Sequence, residues 1–226
     1  MKKWTGGRVG GVALALSGCV LPLQVEIDGD LGSVRGSGHL VSETRPVSGF
    51  DAVSASGAVT VIVERSGRET VSITAEDNLL RYLDTEVRGG VLFVGPRPGV
   101  SLAPRREIVV HVEVFEIVEI RGSGAVDMEA DLGWIPELWI SLSGASSLTL
   151  AGAADVADVT LSGASRYDAL DVETLDTWIE ASGASRAWVW AERLLDARAS
   201  GASEVRFRGT PTVRAEVSGA STVTRY

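Results

Sequence analysis

Apolar and polar residues alternate along most of the chain, as in "VIVE", "LWISL" and "SLTL". A period of two in short runs rich in β-branched residues predicts strands with one buried face. A four-residue string, Ser-Gly-Ala-Ser, interrupts the alternation at intervals, in "SLSGASSLTL", "TLSGASRYDA", "EASGASRAWV", "RASGASEVRF" and "EVSGASTVTR". Its glycines, Gly144, Gly163, Gly183, Gly201 and Gly219, are 19, 20, 18 and 18 residues apart. The flanking pattern places Gly122, Ala55 and Gly36 in the same slot further upstream. Two residues before the slot stand Val34, Val53, Ile120, Leu142, Leu161, Ala181, Ala199 and Val217. Four residues after it stand Leu40, Val59, Val126, Leu148, Tyr167, Ala187, Val205 and Val223.

A fixed period near twenty residues is the signature of a solenoid. With strand periodicity on both sides of each slot, the prediction is all-β: a parallel β-helix of ~20-residue coils, two or three short strands to a coil. Ser-Gly-Ala-Ser is then a corner, where glycine tolerates positive φ and lets the next coil approach closely. The flanking serines form two columns, Ser143, Ser162, Ser182, Ser200, Ser218 and Ser146, Ser165, Ser185, Ser203, Ser221. Hydroxyls stacked at ~4.8 Å are expected to hydrogen-bond up each column. Serine catalysis does not fit: there is no Gly-x-Ser-x-Gly elbow, and His39 and His111 are the only histidines.

The period lapses for 67 residues between Ala55 and Gly122. "AVTVIVE", "VSITA" and "GGVLFVG" read as strands, and "EDNLLRYLDTEV" offers a helix with Asp77 or Asn78 as its N-cap. How residues 56–121 are arranged is left open, with a polar end-cap as one candidate role.

The amino terminus changes the picture of where the protein resides. "MKKWTGGRVGGVALALSGC" has a basic head and an apolar run, Val9 to Leu16, too short to span a bilayer as a helix. Residues 1–18 read as a signal peptide, and Leu16-Ser17-Gly18-Cys19 resembles the lipobox of bacterial lipoproteins, which implies an acylated Cys19. Cys19 is the only cysteine, so no intramolecular disulfide is possible, and residues 19–32 would form an acylated linker. Several acyl chains on one residue anchor stably, at about 0.8 kcal/mol per buried methylene. Val20, where an aspartate would signal retention, implies an outer-membrane lipoprotein, facing the periplasm or the exterior.

Charge then excludes partners. The whole chain has 21 Lys and Arg against 30 Asp and Glu; without Lys2, Lys3 and Arg8 the balance is 18 − 30 = −12. Such a chain repels phosphate backbones, so nucleic acid is not an expected partner. Lys2 and Lys3 are the only lysines, so the processed chain has none for Schiff-base or Ser–Lys chemistry. No metal or cofactor site is evident.

"RGSGHLVSETRPVSGFDAVSASGAVTVIVER", "AEDNLLRYLDTEVRGGVLFV" and the glycine-marked repeats together resemble the auto-transporter adhesin head (GIN) domain family, DUF2807. The resemblance covers a domain taken as residues 33–226. It implies a right-handed single-stranded β-helix in secreted or envelope-attached bacterial proteins, with an irregular N-terminal portion and no catalytic residues to carry over.

On the predicted outer surface, Trp139 and Trp178 fall before the corner and Trp188 and Trp190 after it, with Trp134 in a turn. Outward indoles are suited to stacking on sugars, and equally to covering an open side or an oligomer contact. The expected function is therefore a lipid-anchored, non-catalytic binding, adhesion or structural module, with a glycan, matrix component, envelope protein or second copy as partner. The alternative is a β-helix polysaccharide lyase or hydrolase using acids such as Asp127, Asp155, Asp158, Asp168, Asp171 and Glu173. Short connections between the C-terminal coils leave no loops to wall a cleft, which favours the module.

Overall fold

Each repeat becomes one long strand, bent in the middle, joined to the next by a four-residue corner. The computed structural model describes residues 33–226; the expected signal peptide (1–18), Cys19 and the expected linker (19–32) lie outside the described residues. The strands are β1 (Ser33–Arg35), β2 (Leu40–Arg45), β3 (Ala52–Gly57), β4 (Thr60–Arg65), β5 (Thr70–Glu76), β6 (Leu83–Arg88), β7 (Val91–Pro96) and β8 (Ser101–Ala103). There follow β9 (Val109–Val114), β10 (Glu119–Gly124), β11 (Asp127–Leu142), β12 (Ser147–Leu161), β13 (Arg166–Ala181), β14 (Arg186–Ala199), β15 (Glu204–Arg208), β16 (Thr212–Val217) and β17 (Thr222–Arg225).

Parallel pairing stacks these into a β-solenoid of about five turns with two principal faces. On the pre-corner face, β7, β3, β10, the second halves of β11 to β14, and β16 lie side by side. On the post-corner face run β9, β4, the first halves of β11 to β14, then β15 and β17. β11 to β14 span 14 to 16 residues each, so a coil holds one bent strand where two or three short ones were expected. Register shifts at Asp131/Trp134 and Thr149/Ala151 mark two of the bends.

The core is built by columns of inward residues. One column runs Val53, Ile120, Ile140, Val159, Ile179, Ala197; another runs Val61, Met128, Leu148, Tyr167, Ala187, Val205. All of these are buried. Tyr167 stands between Leu148 and the small Ala187 in its column, as close packing of a large ring requires. Burial pushes its phenol pKa upward.

The corners explain the glycines. Gly163 has φ +73°, and a Cβ there would lie 2.5 Å from the carbonyl oxygen of Gly144 in the coil beneath. The same contact recurs with backbone atoms down a column of Gly219, Gly201, Gly183, Gly163, Gly144, Gly124 and Gly57. The rung bonds continue through the bend: Ser162, Ala164 and Arg166 N–H donate to Leu142, Gly144 and Ser146 carbonyls at 2.9, 2.7 and 2.9 Å.

Three expectations are corrected by this geometry. The upstream corner residues are Gly124 and Gly57, two positions after the predicted Gly122 and Ala55, and Gly36 packs on Glu76 outside the stack. A shift of two preserves which residues face inward, so alternation alone could not tell the registers apart. The hydroxyls of Ser146, Ser165, Ser185 and Ser203 turn back onto the carbonyls of Ser143, Ser162, Ser182 and Ser200 at 2.8–3.0 Å, closing their own corners. Along that column, hydroxyl-to-hydroxyl contact occurs at Ser185–Ser203, 3.4 Å. Val59 and Val126 occupy the same inward position in the upstream corners, which shows that the site accepts an apolar group.

The predicted helix after Glu76 is a single 3₁₀ turn, Leu80–Tyr82, without a side-chain cap. Asp77 and Asn78 instead fasten the preceding segment: Ser37 donates to Asp77, and Asn78 bonds the Arg35 carbonyl and the Ser37 N–H. Leu79, Leu80 and Leu83 are buried, and the chain then alternates into β6. Gly89 and Gly90, φ +58° and +81°, turn β6 antiparallel onto β7. Antiparallel β6, β5 and β2 thus close the N-terminal end of both faces. Glu76, fully buried, secures this end by accepting from the N–H groups of Gly38 (2.6 Å) and Arg105 (2.9 Å).

Candidate binding surface

Parity along each strand decides which side chains point out. Leu138 and Ile140 are buried on either side of Trp139, as Thr177 and Ile179 are beside Trp178, so both indoles project from the pre-corner face. They share one column, Glu119, Trp139, Asp158, Trp178, Asp196, Arg214, read rung by rung. Trp139 is 44% exposed and Trp178 37%. The neighbouring column is Arg121, Ser141, Thr160, Glu180, Arg198, Glu216. Between the two columns lies a groove of about 390 Å³, lined by Asp158, Thr160, Trp178, Ile179, Glu180, Asp196 and Arg198.

Trp188 and Trp190 project from the post-corner face, between buried Ala187, Val189 and Ala191. The Arg166 guanidinium lies 4.2 Å above the Trp188 ring and that of Arg208 3.9 Å above Trp190. The Trp190 N–H donates to Glu192 at 2.5 Å. The four candidate tryptophans therefore divide into two pairs on different faces: one open, one covered by arginine. Trp134, 57% exposed, sits at a bend and donates to Asp155 at 3.4 Å.

Electrostatics reinforce the division. Burial, then the charges of Glu180 and Glu137, raise the Asp158 carboxyl above its ordinary value. Arg198, the cation that lines this groove, is shared between Glu180 (3.0 Å) and Glu216 (3.6 Å). At the bend, Arg193 forks onto Asp176 at 2.7 and 2.5 Å, and these hydrogen bonds hold that carboxyl below the usual range. Of the acids weighed for catalysis, Asp127 accepts from Ser147 and Asp168 pairs with Arg166 at 3.4 Å. Among the described residues no three metal-ligating side chains converge.

Trp139, Trp178 and Asp158 stand apart in the sequence, and stacking brings them into one column. The signal was present: Trp139, Asp158, Trp178 and Asp196 are separated by 19, 20 and 18 residues, the repeat period itself. The arginine covers on Trp188 and Trp190 come from stacking as well: each guanidinium reaches its ring from an adjacent coil, about twenty residues away in sequence.

Comparison with known proteins bears on the fold and the family. A family model described as "Putative auto-transporter adhesin, head GIN domain" matches residues 49–211. A comparison with curated proteins finds no match. Among solved structures, a putative adhesin from Bacteroides fragilis superposes with a TM-score of 0.67 at 16% identity, covering 85% of this chain and 99% of that one. A putative lipid binding protein from Parabacteroides distasonis gives 0.57 at 17% identity, covering 86% and 99%. A putative adhesin from the same organism gives 0.51 at 18%, covering 86% and 100%. At these identities the likeness is one of fold.

Proposed function

The chain belongs to the DUF2807 family, the head GIN domain of putative auto-transporter adhesins, and from that premise we propose that it is a non-catalytic binding module of the cell envelope, tethered by a lipid on Cys19. The observation that carries this reading is the pre-corner face, a continuous ladder with exposed indoles, served by corners only four residues long. Such a surface can grip a partner along its length, and the corners supply no loops to enclose a reacting group. The solved structures that share the fold carry the names adhesin and lipid binding protein, in keeping with a binding role. The basic head, apolar run and lone cysteine at position 19 support the tether, and Val20 after it supports the outer membrane as destination.

Cell fractionation tests the tether. The native protein is expected in the membrane fraction with acyl chains on Cys19 by mass spectrometry, and Cys19→Ala in the soluble fraction. A variant that stays with the membrane, or a native protein without lipid, refutes it. For the binding role, beads coated with residues 20–226 should attach to host matrix or bacterial surfaces, and failure on every surface counts against it.

A further inference from the structure

The open column on the pre-corner face has a geometry of its own. Successive rungs of a parallel stack are ~4.8 Å apart, so Trp139 and Trp178, two rungs apart, are roughly 9.6 Å apart, with Asp158 midway and Asp196 one rung beyond. One sugar of an extended β-linked chain advances by about the rise of one coil. The groove beside Trp178 follows the solenoid axis, crossing β12, β13 and β14, and its volume is within the range of small-ligand sites, roughly 300–1,000 Å³. A polymer lying along the axis would therefore meet indole, carboxylate, indole, carboxylate in step with its own repeat.

The chemistry selects among polymers. An indole presents a flat apolar plate to the axial C–H face of a pyranose, and a carboxylate accepts from two sugar hydroxyls. Asp158, Glu180 and Asp196 line the groove, and the one cation that lines it, Arg198, is already paired with Glu180 and Glu216. That field repels uronates, sulfates and phosphates. Trp188 and Trp190 offer no equivalent, because arginines already lie on their rings.

We propose that the pre-corner face binds an extended, uncharged β-linked glycan along the solenoid axis, one sugar to a coil. Trp139 and Trp178 stack on alternate sugars, and Asp158 and Asp196 take hydroxyls from the sugars between. This inference rests on the reading of the protein as a binding module and specifies its ligand.

Isothermal titration of residues 20–226, which contain the whole compact unit, tests it with cellohexaose and chitohexaose as probes and hexagalacturonate as the anionic control. At least one neutral hexasaccharide is expected to bind, more tightly than its trisaccharide, and hexagalacturonate is not. Trp139→Ala and Trp178→Ala should each weaken binding about tenfold or more with unchanged unfolding midpoints, while Trp188→Ala leaves affinity unaltered. The proposal is overturned if neither neutral hexasaccharide binds, if hexagalacturonate binds as well, or if the two indole variants bind normally. Bead attachment that is lost in Trp139→Ala and Trp178→Ala without any glycan binding removes the glycan and leaves the module standing. Absence of both attachment and glycan binding removes both readings.

Discussion

Replacing Gly163 by alanine should cost the fold more than its one added methyl group would suggest, because two effects act at the same atom. At φ +73° an L-residue incurs left-handed strain of about 1–2 kcal/mol. The new Cβ would also stand 2.5 Å from the Gly144 carbonyl oxygen, inside any real contact distance, and a tight 3.0 Å from its nitrogen. That carbonyl accepts the Ala164 N–H at 2.7 Å, while the bonds on either side, Ser162 to Leu142 and Arg166 to Ser146, hold the coils together. Relief must stretch the central bond, whose net loss is worth about 1 kcal/mol. The sum is roughly 2–3 kcal/mol. Gly99 separates the two causes: its φ is +79°, but no atom lies within 4 Å of its Cβ position, so Gly99→Ala should show the strain alone. Ser165→Ala deletes the hydroxyl bonded to Ser162 at 3.0 Å and should cost about 1 kcal/mol. Urea unfolding of residues 20–226, followed by circular dichroism, measures all three. A Gly163→Ala cost no greater than that of Gly99→Ala refutes corner-on-corner stacking, and a Ser165→Ala cost equal to it transfers the role from glycine to hydroxyl.

Two aspartates should respond to pH in opposite directions. Folding raises the Asp158 pKa, so its stabilising contribution is present at low pH and is lost as pH rises through the folded value; Asp158→Asn should raise the unfolding midpoint at neutral pH and lose that advantage below the carboxylate range. Folding lowers the Asp176 pKa, so Asp176→Asn should destabilise at neutral pH and become harmless as pH falls through the carboxylate range; parallel profiles for the two variants contradict these assignments. Trp188→Ala removes an outward ring under Arg166 and should cost no more than about 1 kcal/mol, whereas a loss of ~3–5 kcal/mol would mark the ring as core and the strand register as off by one.

What the amino-acid sequence determined by itself is local. Alternation distinguishes inward Leu142, Leu161, Leu148 and Tyr167 from outward Trp139 and Trp178, because side-chain direction follows from strand geometry within a few residues. The repeated glycine is equally legible: positive φ at Gly144, Gly163, Gly183, Gly201 and Gly219 is a backbone demand that no other residue meets as cheaply. What only the tertiary structure decided depends on residues distant in sequence. Gly124 and Gly57 enter the corner column instead of Gly122 and Ala55 because the register across coils is chosen by stacked neighbours, and a slip of two leaves the pattern of faces unchanged. The segment after Glu76 becomes a turn and an antiparallel strand because pairing with β7 closes the open end of the stack, outweighing a weak local helix preference. Arg166 and Arg208 cover Trp188 and Trp190 while Trp139 and Trp178 stay open because each ring's neighbours come from the coils above and below. Which tryptophans can meet a ligand is thus decided by stacking, about twenty residues away along the chain.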